Sequence, residues 1–119
     1  MQFVLMIYQG STPLPGTEAW SSLPEHEQKA VYADYAALHE LEGLTSGLPL
    51  GLADKAKTVR VQDGRTRTSD GPFVGGDGVV GGYCIVEADD IGAAVDVAAR
   101  IPAARLGGAI EVRPAETYW

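Results

Sequence analysis

Every position from Phe3 to Tyr8 is apolar. In an extended chain Phe3, Leu5 and Ile7 point to one side, and Val4, Met6 and Tyr8 to the other. A strand apolar on both faces asks for burial on both. Gln9–Gly16 mixes Gly, Ser, Thr and two Pro, and reads as a loop. Ser22-Leu23-Pro24-Glu25 then has the form of a capping box with a Pro in the first turn. Ala30, Val31, Tyr35, Leu38 and Leu41 follow helical spacing, with Asp34 the one break in the stripe. The spacing predicts a helix from about Leu23 to Glu42, stopped by Gly43.

Leu48 to Ala53 alternates weakly and predicts a short strand, held to an edge or bulge by Pro49. Thr58–Gln62 and Arg65–Ser69 flank Asp63-Gly64, a strong local signal for a β-hairpin. Asp70-Gly71-Pro72-Phe73 follows. Its Gly permits φ values other residues avoid, and Pro restricts the residue before it, so a rigid corner is expected. A loop carrying Gly75, Gly76, Gly78, Gly81 and Gly82 leads to a central strand, Tyr83–Val86. Asp89 or Asp90 caps a second helix through about Arg100, with Ile91, Ala94, Val95 and Ala98 on its apolar face. Pro102 helps close it. Ala109–Arg113 is the last strand, and Pro114 onward a tail.

The order β-α-β, hairpin, β-α-β predicts an α+β, ferredoxin-like sandwich carrying an inserted β-hairpin. Two helices cover only one face of its sheet. The apolar second face of Phe3–Tyr8 and of Tyr83–Val86 needs a partner, and the economical one is a second copy. A homodimer through the sheet face is therefore expected.

Length and charge narrow the setting. The chain has 119 residues, 45% hydrophobic and 21% charged, which suits one folded domain over residues 1–119. A net charge of −7 argues against nucleic acid and against an anionic membrane surface. No stretch is long enough to span a bilayer, and the apolar start lacks the basic segment of a secretion signal. Cys84 is the single cysteine, so no internal disulfide can form. These features point to a soluble, cytoplasmic protein.

Thr58-Val59-Arg60-Val61 through Asp63-Gly64, then Thr68-Ser69-Asp70-Gly71-Pro72-Phe73, resembles the DGPF branch of the YCII-related proteins. Gly81-Gly82-Tyr83, Ile110-Glu111-Val112-Arg113-Pro114 and Phe3–Tyr8 fit the same pattern, so the resemblance covers nearly the whole chain. It implies the dimeric α/β-barrel, in which two ferredoxin-like protomers pack through their sheets. Related YCII proteins are thought to use a His–Asp pair, and the wider superfamily holds isomerases, lyases and cofactor-free oxygenases. By that resemblance Asp70 falls in the signature and His39 is its candidate partner. The chain departs from the pattern after Phe73. Val74-Gly75-Gly76-Asp77-Gly78 stands where an acidic-Thr-Lys-Glu stretch is usual, so any role of that Lys and Glu is lost or passes in part to Asp77.

Each candidate residue has two readings. Asp70 can orient a histidine or act as a base, or it can accept backbone N–H groups in an Asx-turn. His39, at the edge of the helix stripe, can be a base near neutral pH or a surface histidine. His26 is expected to face solvent. A two-residue Asp63-Gly64 turn pairs Gln62 with Arg65 and Arg60 with Arg67, placing Arg60, Arg65 and Arg67 on one face. With Lys55 and Lys57 they form a local positive site, fit for a ligand's carboxylate or phosphate or for carboxylates of the protein itself. Trp20, Tyr32, Tyr35, Tyr83 and Phe73 can line a pocket or belong to the core. Cys84 reads as an inert buried residue and Trp119 as either docked on a partner or disordered.

Two functions follow. One is a cofactor-free isomerase or lyase that moves a proton on a small organic acid: Asp70 and His39 would be catalytic, and Arg60, Tyr8, Phe73 and Tyr35 would bind an anionic or aromatic substrate. The other is a non-catalytic homodimeric binding or regulatory module. An oxygenase would require a dry cavity lined by Trp20 and the tyrosines. Two histidines without matched spacing make no metal site, and no cofactor is expected.

Overall fold

The structure, a computed structural model, describes residues 1–118. Trp119 lies outside them. Among the described residues six strands and three α-helices follow one another: β1 (Gln2–Tyr8), α1 (Glu18–Ser21), α2 (Glu25–His39), β2 (Leu44–Ser46), β3 (Lys57–Gln62), β4 (Arg65–Asp70), β5 (Val80–Glu87), α3 (Ile91–Ala98) and β6 (Ala109–Pro114). Four strands form an antiparallel sheet in the order β2-β5-β1-β6, while β3 and β4 form a separate two-stranded ribbon. This is a ferredoxin-like α+β fold with a hairpin between its second and third sheet strands.

The register sorts the sheet into two faces. Phe3, Leu5 and Ile7 pair with Val86, Cys84 and Gly82 on the face that carries the helices. There Phe3, Leu5, Cys84 and Val86 pack with Leu38, Ala94, Ala98 and Ile101 into one core. Val4, Met6 and Tyr8, with Ile85 and Tyr83 beside them, face the other way, and among the described residues no layer covers them. Tyr83 is 46% exposed there.

The helices obey local chemistry unevenly. Asp90 caps α3 by accepting from the Ala93 N–H at 2.8 Å, and Ala94 and Ala98 are buried under it. Ile91 and Val95, expected on the apolar face, stay about half exposed. The expected capping box at Ser22–Glu25 does not form: Pro24 is the N-cap of α2 and no side chain caps it. Ser22 instead ends the short helix α1, whose own cap is Thr17, accepting from the Trp20 N–H at 3.3 Å. Gln28 ties the two helices by donating to the carbonyls of Trp20 and Leu23. α2 closes at His39, one turn earlier than expected, and Gly43 (φ 84°) makes the left-handed step beyond it.

No strand forms over 48–53. The short edge strand is Leu44–Ser46, and the chain beyond it follows β5 through two isolated bonds, Gly47 N–H to Tyr83 O and Leu50 N–H to Gly81 O. Pro49 lacks the donor that would continue the ladder. The ribbon matches its sequence closely. Asp63 (φ 52°) and Gly64 (φ 74°) supply the two positive φ values of a two-residue hairpin turn. Its strands project from the body, and the radius of gyration is 16.1 Å, against about 13.5 Å for a compact chain of this length.

Candidate functional site

Of α2, only Leu38 joins the continuous core; Val31 and Trp20 are buried apart from it. The helix meets the rest of the fold chiefly at β2 and at the turn Pro102–Ala104. Its N-terminal half therefore stands off the sheet and leaves a cavity of about 680 Å³. Trp20, Val31, Tyr32 and Tyr35 form its helix side, and Ile7, Gly82 and Cys84 its sheet side. Leu48, Leu50 and Leu52 line its rim, and the rings of Trp20 and Tyr32 meet edge to face at 5.5 Å.

The polar groups on this wall are few and of one kind. Among the described residues no Asp or Glu lines the cavity, although the chain has sixteen. Among the described residues, the side chains there that can carry positive charge are His39, on the last turn of α2, and Lys55. Gln9, Thr12 and Ser46 add neutral donors and acceptors, and Thr12 Oγ1 is enclosed without a hydrogen-bond partner. Burial pushes the Tyr35 phenol up, the neighbouring Cys84 adds to the shift, and Arg105 partly opposes it. Burial also raises the Cys84 thiol. Both groups are consequently neutral near pH 7, able to donate a hydrogen bond and poor as bases. Arg105 itself is held by Asp34 at 2.8 Å, which accounts for the polar break in the α2 stripe.

A second, more open cleft of about 610 Å³ lies at the base of the ribbon. Tyr8, Pro72, Phe73, Val74 and Val80 line it, and Leu50, Gly51, Leu52 and Lys55 line both concavities. Segment 50–55 is thus the partition between them.

The residues singled out from sequence are distributed over these places. His39 and Tyr35 are on the cavity wall; Tyr8 and Phe73 line the cleft. Arg60 lies over the Phe73 ring with its guanidinium carbon 5.6 Å from the centroid. Asp70 is the last residue of β4 and lines neither concavity. Its carboxylate is 86% exposed and accepts from Lys57 Nζ across the ribbon at 2.5 Å. Among the described residues, no hydrogen bond or ion pair joins Asp70 to His39, and no backbone N–H donates to the Asp70 carboxylate. The corner after Asp70 is instead held through Gly71, whose N–H donates to Ala56 O at 2.8 Å. Sequence reasoning missed Thr12 and the leucines of 48–52, and noticed Lys55 only for its charge. The one signal available was the apolar-Gly alternation of Gly47–Leu52, which predicted a weak strand and is too apolar for a solvated loop.

Among the described residues no group of His, Cys, Asp and Glu could hold a metal ion, and no helix is long and apolar enough to cross a membrane. No curated protein matches the chain in sequence. The family model of the YCII-related domain matches residues 1–117, in keeping with the ferredoxin-like order of strands and helices, and the chain therefore belongs to the YCII-related domain family.

Proposed function

We propose that the protein is a homodimeric small-molecule-binding protein. Its ligand would be a molecule with an apolar body and a single anionic head, held in the cavity beneath α2. The observation that carries this reading is the composition of the cavity wall: largely apolar and aromatic and, among the described residues, with no carboxylate and with Lys55 as its one lysine, beside the imidazole of His39. In a protein of net charge −7 that exclusion favours an acid over an amine. The dimer would form through the uncovered sheet face, where Val4, Met6, Ile85 and Tyr83 make an apolar surface.

The test is a titration followed by NMR, using benzoate, phenylacetate and decanoate with their neutral amides. Saturable shifts at the Trp20 indole and Tyr35 are expected for the acids, weakened in His39→Ala and Lys55→Ala. Absence of saturable binding by acids and amides alike, up to about 5 mM, would sink the proposal.

One observation favours chemistry at this site as well. His39 is the one imidazole among the residues that line the cavity, and an imidazole is the side chain most often used as a general base. In that reading His39 takes a carbon-bound proton from the acid while the neutral Tyr35 and Cys84 donate hydrogen bonds. Solvent deuterium should enter the bound acid with the wild type and not with His39→Ala. Loss of incorporation in Asp70→Asn, with binding intact, would restore the His–Asp pair expected from the family resemblance.

A further inference from the structure

The ribbon of β3 and β4 has no packing partner in its own protomer beyond its base, since the two strands pack chiefly on each other. Its register gives it two unlike faces. Lys57, Val59, Val61, Thr66, Thr68 and Asp70 lie on one, and Thr58, Arg60, Gln62, Arg65, Arg67 and Ser69 on the other. Val59 and Val61 are 60% and 68% exposed. Arg60, Arg65 and Arg67 make no ion pair among the described residues; Arg60 rests on Phe73. An isolated two-stranded ribbon is marginal in water, so both faces call for an outside surface.

The charge distribution says which surface. Between Lys57 and Asp70 there are four cations and two carboxylates; the rest of the chain has five cations and fourteen carboxylates. A positive arm is thus mounted on a strongly negative body. Within its own protomer none of the three arginines pairs with a carboxylate among the described residues. Nucleic acid would suit the arginines but would be repelled by the body. A second copy of the chain presents the same acidic body at the same concentration, and is the occupant the charges fit.

We infer that the ribbon is a clasp that docks on the body of a second copy, exchanged reciprocally about a twofold axis. Val59 and Val61 lose water against that copy, and the arginines pair with its carboxylates, for which a guanidinium is well shaped. The clasp rests on the homodimer proposed above, and adds to the sheet face an interface of different chemistry.

Sedimentation equilibrium separates the two. The wild type, Arg60→Glu/Arg65→Glu/Arg67→Glu, Val59→Ser/Val61→Ser and Met6→Asp are compared, with circular dichroism to check folding. The ribbon side chains are exposed, so their variants should keep the fold. The clasp predicts a wild-type dimer whose dissociation constant rises about tenfold or more in each ribbon variant. The charge-reversed variant should also lose most of the wild type's sensitivity to salt. If Met6→Asp dissociates the dimer and neither ribbon variant changes it, the sheet-face dimer stands and the clasp is overturned. A wild type that stays monomeric overturns both. Should a ribbon variant fail to fold, a spin label at Asp63→Cys on one copy, mixed with isotope-labelled wild type, decides: relaxation of the labelled copy's body residues supports the clasp, and its absence refutes it.

Discussion

Cys84 and Tyr35 face the same cavity, and burial raises both above their ordinary values. The sign of the consequence follows from proton counting. Above about pH 8.5 the unfolded chain begins to release protons that the folded protein retains. Stability from these groups is full below their unfolded values and is lost as pH rises through the folded ones. The urea midpoint should therefore fall between about pH 8 and 10, and fall less steeply in Cys84→Ala; parallel slopes in the two proteins would refute the assignment. Cys84 was legible as a buried residue because it interrupts an apolar strand. The surroundings of Asp70 were not. The carboxylate's direction depends on the ribbon register, which sets Asp70 opposite Lys57 on the face away from Arg60. A motif of four residues in sequence carries no information about that face.

Elements governed by their own residues could be read from the chain, and elements governed by packing could not. The ribbon follows from Asp63-Gly64, and α3 from Asp90. At Gly64 (φ 74°) an added methyl would meet open space, so the cost of Gly64→Ala is purely conformational, about 1 kcal/mol. Hydrogen exchange should accelerate across Lys57–Asp70 in that variant while amides of β1 and β5 keep their protection. Equal loss of protection in both would mean that the ribbon and the sheet unfold together. Helix α2 is the opposite case. Its stripe predicts one continuous buried face, yet of its residues Leu38 alone joins the core, while Val31 is buried apart from it on the cavity wall. Periodicity records which positions avoid water, and a cavity wall avoids it as a core does. Leu38→Ala should then cost about 2–5 kcal/mol in urea denaturation. Val31→Ala, a smaller truncation outside that core, should cost distinctly less. Equal costs would mean that the space beneath α2 closes in solution.

At the scale of the molecule, the charge pattern and the exposed apolar surfaces point the same way. A monomer with extents of 51 × 39 × 18 Å is flat, with one sheet face uncovered and an arm extended from it. Such a shape leaves Tyr83, Val59, Val61, Phe73 and Leu48 largely in water, an arrangement that burial in an assembly would relieve. If the folded protomer gains stability from a second copy, unfolding becomes linked to concentration. The thermal midpoint of the wild type should rise with each tenfold increase in protein, because mass action favours the associated native state. Met6→Asp should melt lower and without that dependence, since its protomers unfold one at a time. A wild-type midpoint constant from about 2 to 200 µM would show that the native protomer draws no stability from association, and that the open sheet face is tolerated in water. A saturating acid ligand should raise the midpoint of both proteins, because the cavity beneath α2 is walled by residues of one protomer and Met6 is not among them. Stabilisation confined to the dimer would instead place part of the binding wall on the second copy.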